Sequence, residues 1–133
     1  MARTLRRWGP AVVVVAAVVV FVYLQPGDPV HQQWEERRTL PSCGSVDLHQ
    51  GEELRRDAPE ELACLRAALT SGEGAELRVT YPTVEGDPIT SYYRVTPART
   101  TEVYEDATED AYGDGRWHFA ECHQPTGVLD VAC

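Results

Sequence analysis

The chain has 133 residues, with twelve Arg and no Lys set against twenty-one Asp and Glu, a formal net charge of −9. The charge is divided unevenly: residues 1–24 hold three Arg and no acid, and residues 25–133 hold nine Arg and twenty-one acids, a net of −12. Phosphate recognition needs a basic face, so this balance argues against a nucleic-acid partner and against direct docking on anionic lipid headgroups.

In chain order, the first element is Ala11 to Leu24, fourteen consecutive apolar residues behind Arg3, Arg6 and Arg7. As a helix rising about 1.5 Å per residue it spans roughly 21 Å, short of a hydrocarbon core of about 30 Å. Extension back to Trp8 places Trp8 and Tyr23 near the two interfaces, where amphipathic rings are favoured. The run ends Tyr23-Leu24-Gln25-Pro26-Gly27, which offers no pair of small residues for signal cleavage. No cysteine follows closely enough to carry a lipid. Residues 1–24 are therefore expected to be an uncleaved signal anchor that contacts the membrane through residues 8–24. The N-terminus is cytoplasmic and the rest extracellular in this reading; secretion after cleavage is the alternative.

Residues 25–40 read as a linker, with one helical turn at most. Trp34 is the only large apolar side chain in the polar run Gln32 to Arg38, so the segment is expected to bury little. Residues 41–133 are expected to form one extracytoplasmic α+β domain. Ser45 to Leu48 is a candidate strand. A helix is expected at 58–71, with Asp57 as its N-cap, Glu60 reaching back in a capping box, Pro59 in the first turn and Gly72 past the end. Leu62, Leu65 and Leu69 form its apolar stripe.

Alternation marks strands at Leu77-Val79-Tyr81 and Ile89-Ser91-Tyr93-Val95, joined by the turn Glu85-Gly86-Asp87-Pro88. Arg99 to Asp106 reads as the next strand, Trp117 and Phe119 belong to another, and Leu129, Val131 and Cys133 alternate as a last one. The expected fold is one helix packed on a curved antiparallel sheet of four to five strands, an element order matching a cystatin-like arrangement.

Cys43, Cys64, Cys122 and Cys133 are an even set in an exported domain, which points to two disulfides rather than a metal site. Three pairings are open. Cys64 lies round the helix from the leucine stripe, where it can meet the segment arriving before the helix, and Cys122 and Cys133 flank an expected hairpin. These positions favour Cys43–Cys64 and Cys122–Cys133. His118 and His123 near Cys122 lack the grouping of a zinc site.

The densest acidic stretch is Glu102, Glu105, Asp106, Glu109, Asp110 and Asp114. Its spacing does not fit a calcium-binding EF-hand loop, and a solvated connection between strands suits it better. Glu85 and Asp87 read as turn residues rather than as an acid–base pair. No serine has a nucleophile-elbow context and no Gly loop cradles phosphate. Of Tyr81, Tyr92, Tyr93, Trp117 and Phe119, those facing outward could form a binding surface. The lack of Lys and Asn reads as the mark of a GC-rich bacterial genome.

Three motifs in order, Glu85-Gly86-Asp87-Pro88-Ile89, then Asp106-Ala107-Thr108-Glu109-Asp110-Ala111-Tyr112-Gly113, then the spacing of Cys122 and Cys133, resemble a family of small uncharacterised bacterial envelope proteins, often lipoproteins. The resemblance covers residues 43–133. The chain departs from it by lacking a lipid-bearing cysteine and by adding Cys43 and Cys64, and the family brings no activity to transfer. The resulting expectation is a membrane-tethered, non-enzymatic binding or interaction module with a protein partner in the cell envelope and no cofactor or metal. A small hydrolase or calcium-binding domain using the acidic loop 102–114, or a protease-inhibitor-like domain, are the alternatives.

Overall fold

Asp28 starts the first element. Its Oδ1 accepts the amides of Val30 (2.9 Å) and His31 (3.3 Å), and Pro29 has no amide to leave unpaired, so Pro29–Glu36 winds into helix α1. The computed structural model describes residues 27–133. After α1 come β1 (Ser42–Asp47), the single turn α2 (Leu54–Asp57), α3 (Pro59–Ser71), β2 (Ala75–Pro82), β3 (Pro88–Val95), β4 (Thr101–Asp106) and β5 (Trp117–Cys122). The class is α+β. The anchor expected at residues 1–24 lies outside the described residues, and among those described no helix is long and apolar enough to cross a membrane.

The five strands pair in sequence order, β1-β2-β3-β4-β5. From β2 onward each pairing is antiparallel, through the turns at 83–87 and 96–100 and the longer connection 107–116. β1 departs from the expected antiparallel sheet: it runs parallel to β2, Ser42 opposite Glu76 and Asp47 opposite Thr80. The cause is α3, which carries the chain back along the sheet before β2 begins and so makes a helical crossover between parallel neighbours. The register slips between Ser42 and Ser45. Gly44 sits there at φ +110, a conformation that suits a bulge and that side chains rarely adopt.

Helix α3 ends as expected, with Gly72 left-handed at φ 76 and its amide on the Ala68 carbonyl. Its start differs. The N-cap is Ala58, without a side-chain bond, and no capping box forms. The Asp57 carboxylate turns back to the Glu53 amide (2.7 Å) and the Arg56 guanidinium (2.9 Å), because the extra turn α2 precedes it. The Arg56 bond holds the Asp57 carboxyl below the usual range.

Leu62, Leu65 and Ala68 of α3 close on Ala75, Leu77 and Val79 of β2 and Val95 of β3, with Val128 of the C-terminal tail completing the core. Each fully buried Leu or Val there contributes about 1.5–3 kcal/mol. Cys43 is bonded to Cys64 (Cα–Cα 5.7 Å), tying β1 to α3, and Cys122 is bonded to Cys133 (Cα–Cα 5.0 Å).

The last expected strand, Leu129 to Cys133, is not a strand. The tail turns at Gly127–Asp130, the Thr101 hydroxyl donates to the Asp130 carbonyl, and the Cys133 bond closes the segment on the end of β5. Leu129 packs against the core beside the buried Val128 instead of pairing with a neighbour.

The segment expected as a linker is also corrected. From Asp28 to Pro41 it lies on the sheet face opposite α3. Trp34 sits at 4.0 Å centroid distance from Tyr92, 5.3 Å from Tyr104 and 5.9 Å from Trp117, and His31 stacks on Trp117 at 4.8 Å. Further along, Arg37 bonds Glu76 (3.2 Å), and Arg94, which pairs with Glu76 and Glu102, donates to the Arg38 carbonyl (2.7 Å). One large apolar side chain suffices here because its receiving surface is itself aromatic. Residues 27 and 28 enter at the sheet end that also gathers the loops 48–53, 83–87 and 107–116.

Candidate functional site

Strand alternation sorts the side chains onto two faces. On the face shared with α3, β3 presents Ser91, Tyr93 and Val95, β4 presents Thr101, Val103 and Glu105, and β5 presents His118, Ala120 and Cys122. Helix α3 packs over β1, β2 and β3, and the tail covers the Thr101–Cys122 end. What remains partly open is the other end of β3–β5, where Tyr93, Val103, Glu105 and Ala120 are half-buried and His118 is exposed.

Glu105 is the centre of this patch. Its Oε2 accepts the Tyr81 hydroxyl at 2.7 Å and the Ser91 hydroxyl at 3.2 Å, while its Oε1 has no protein donor among the described residues. Ser91 is 1 % exposed, so this arrangement is fixed from beneath. Burial raises the Tyr81 hydroxyl well above its ordinary value, and the bond to Glu105 raises it further. Tyr93 is raised by burial and by the Glu105 charge. Both phenols therefore stay protonated as donors at any ordinary pH. Ser91, Glu105 and His118 lie in one row across three strands, yet not in a nucleophile's order. The carboxylate stands between hydroxyl and imidazole, and His118 Nε2 instead pairs with Asp114 at 3.1 Å. The patch can hold a donor-rich or cationic group between aromatic rings.

The chain matches no protein-family model, no curated protein and no solved structure.

The other residues singled out in the sequence are dispersed. Tyr92 and Trp117 lie under α1, with the rings of Tyr104 and Phe119 tilted against each other at 4.7 Å beside them, so this aromatic face is covered by the chain itself. The acidic stretch does not converge. Glu102 and Glu105 point to opposite faces of β4, Asp106 bonds the Thr108 amide (3.0 Å), Asp110 the Tyr112 amide (3.0 Å), and Asp114 the Arg116 amide (3.2 Å). Burial raises the Glu102 carboxyl against the opposing pull of Arg94. Asp87 is not half of an acid pair with Glu85: it accepts the Ala111 amide at 2.9 Å and fastens the acidic connection to the β2–β3 turn.

Among the described residues the one cluster of metal-ligand type is Cys122, Asp130 and Cys133, and its two sulfurs are bonded to each other. His123 pairs with Glu121 at 3.5 Å. The Tyr81–Ser91–Glu105 cluster was missed in the sequence because its members come from three strands. Strand parity was the available signal: all three are odd-numbered positions on one face, with Ser91 directly opposite Glu105 and Tyr81 one same-face pair further along, opposite Ile89.

Proposed function

We propose that this chain is a membrane-tethered binding module of the bacterial cell envelope, held by residues 8–24 with its C-terminal domain outside the cell, and that it acts through a protein partner rather than by catalysis. The observation that carries the reading is the open part of the sheet around Glu105: a half-exposed carboxylate on fixed hydroxyl donors, flanked by Tyr93, Val103 and Ala120. Aromatic rings beside a charged group, on a rigid sheet, are the composition of interface anchor points. Two disulfides support an oxidising compartment. Membership of the envelope family suggested by the motifs belongs to the same proposal. A cystatin-like arrangement does too, limited to the β2–β5 meander round α3.

A photo-crosslinking side chain at Val103 in intact cells tests the reading, with Arg78 on the opposite face of the sheet as control. A discrete adduct from Val103, lost in Glu105→Ala and absent from Arg78, is expected. Equal labelling from both positions would remove the proposed surface. Release of the chain from membranes by alkaline wash would favour the secreted alternative.

A further inference from the structure

We infer that the cleft between α3 and the C-terminal tail is a binding site for an amphiphilic carboxylate, a carboxyl group borne on a short aliphatic chain. The cleft is separate from the Glu105 patch and encloses about 600 Å³, within the range of small-ligand sites. Its floor is apolar, formed by Leu62, Leu69 and Val128, and its rim carries Arg55 from α2 and Arg66 from α3.

The two arginines decide the ligand's sign. The segment from residue 25 onward has a net charge of −12, and five of its nine guanidiniums find use in the fold: Arg37 and Arg94 on Glu76, Arg56 on Asp57, Arg78 on Asp47, Arg99 on the Thr70 carbonyl; Arg38 and Arg116 lie away from this cleft. Arg55 and Arg66, which share the rim of the cleft, make no ion pair and no side-chain hydrogen bond among the described residues. The one acid lining the cleft, Asp130, has its carboxylate engaged by the amide and hydroxyl of Thr126, both at 3.0 Å. It closes its own loop and makes no ion pair with either arginine, so the rim keeps a net positive charge. Two unpaired cations thus stand over an apolar floor. Guanidinium forks match a carboxylate in paired hydrogen bonds, and the floor accepts the chain attached to it.

That chemistry has two sources, the free C-terminus of a peptide ending in Leu or Val, and a medium-chain fatty acid. The test is calorimetric titration of the full chain in lipid nanodiscs, with empty discs as blank. The probes are N-acetyl-Ala-Ala-Leu as acid and as amide, and octanoate. The acid peptide, octanoate or both should bind, the amide at least tenfold more weakly. Arg55→Gln and Arg66→Gln should each weaken binding about tenfold, and both side chains are exposed, so the variants should keep the circular dichroism of the parent. Binding of the peptide acid alone assigns the site to protein C-termini, and of octanoate alone to lipid-derived acids. No heat with either acid, equal binding of acid and amide, or affinity unchanged in Arg66→Gln would overturn the inference, and none of these bears on crosslinking from Val103.

Discussion

Replacing Trp34 with Ala discriminates most sharply between a linker and a packed helix. Removing a wholly buried Trp costs about 3–5 kcal/mol, and Trp34 is half-buried, so roughly half of that applies, about 2 kcal/mol. Its contact with Tyr92 at 4.0 Å adds about 0.5–1.5 kcal/mol beyond buried area. The Arg37 guanidinium, 3.0 Å over the Trp34 ring, loses its cation–π partner but keeps Glu76, so this loss is at the low end of the exposed range, about 0.5 kcal/mol. The sum is about 3 kcal/mol, which for a domain of this size lowers Tm by about 12 °C. Urea and thermal unfolding followed by far-ultraviolet circular dichroism measure it, with the disulfides intact in both proteins. Trp34→Phe should recover about half of the loss by keeping a ring on Tyr92. A solvated linker residue would change stability by no more than about 0.5 kcal/mol, or about 2 °C. A shift that small would refute the packing of α1 on the sheet.

Reduction gives a second expectation: the loops closed by Cys43–Cys64 and Cys122–Cys133 span separations of 21 and 11 residues, and each bond contributes about 3 kcal/mol in the chain-entropy account. Urea midpoints with and without reductant check this, and unchanged midpoints would contradict it. In alkali, Tyr81, Tyr93 and Tyr104 are all raised by burial above the ordinary value of 10.0. A group raised in the fold keeps its proton while the unfolded chain loses one, so stability is fully present below about pH 10 and falls as pH rises beyond it. Tyrosinate absorbance should show Tyr81, Tyr93 and Tyr104 titrating at higher pH in the native protein than in urea. Asp87→Ala should free the acidic connection, abolishing exchange protection of the Ala111 amide while costing about 1 kcal/mol or less of global stability.

Much of the fold is legible residue by residue. Pro59 and Gly72 bracket α3, and the alternation Leu77-Val79-Tyr81 and Ile89-Ser91-Tyr93 gives β2 and β3, because local punctuation and period are enough for long elements. Three features needed tertiary information. Helix α1 carries a visible start signal, Asp28 followed by Pro29, but hydrophobicity counting discounts a segment with one Trp; what stabilises it is an aromatic face assembled from β3, β4 and β5. The tail alternates like a strand, yet the Cys122–Cys133 bond and the Thr101–Asp130 contact leave it no partner to pair with. The parallel entry of β1 depends on where α3 delivers the chain, which no local pattern encodes. Of the Glu105 patch, alternation shows that Ser91 and Tyr81 share a face, but the lateral alignment with Glu105 follows only from the β3–β4 register.

The carboxylate of Asp28 has a consequence for reach. One oxygen starts α1, and the other accepts the Trp117 amide at 2.9 Å, clamping the chain to β5 across 89 positions of sequence. Leu24 and Asp28 are four peptide steps apart in the sequence, so on the tether proposed above the clamp lies within about 14 Å of the end of the apolar run. On that tether, the sheet end carrying the 48–53, 83–87 and 107–116 loops is the one nearest the anchor, and the 96–100 turn and disulfide-closed tail are the end left for a partner to reach.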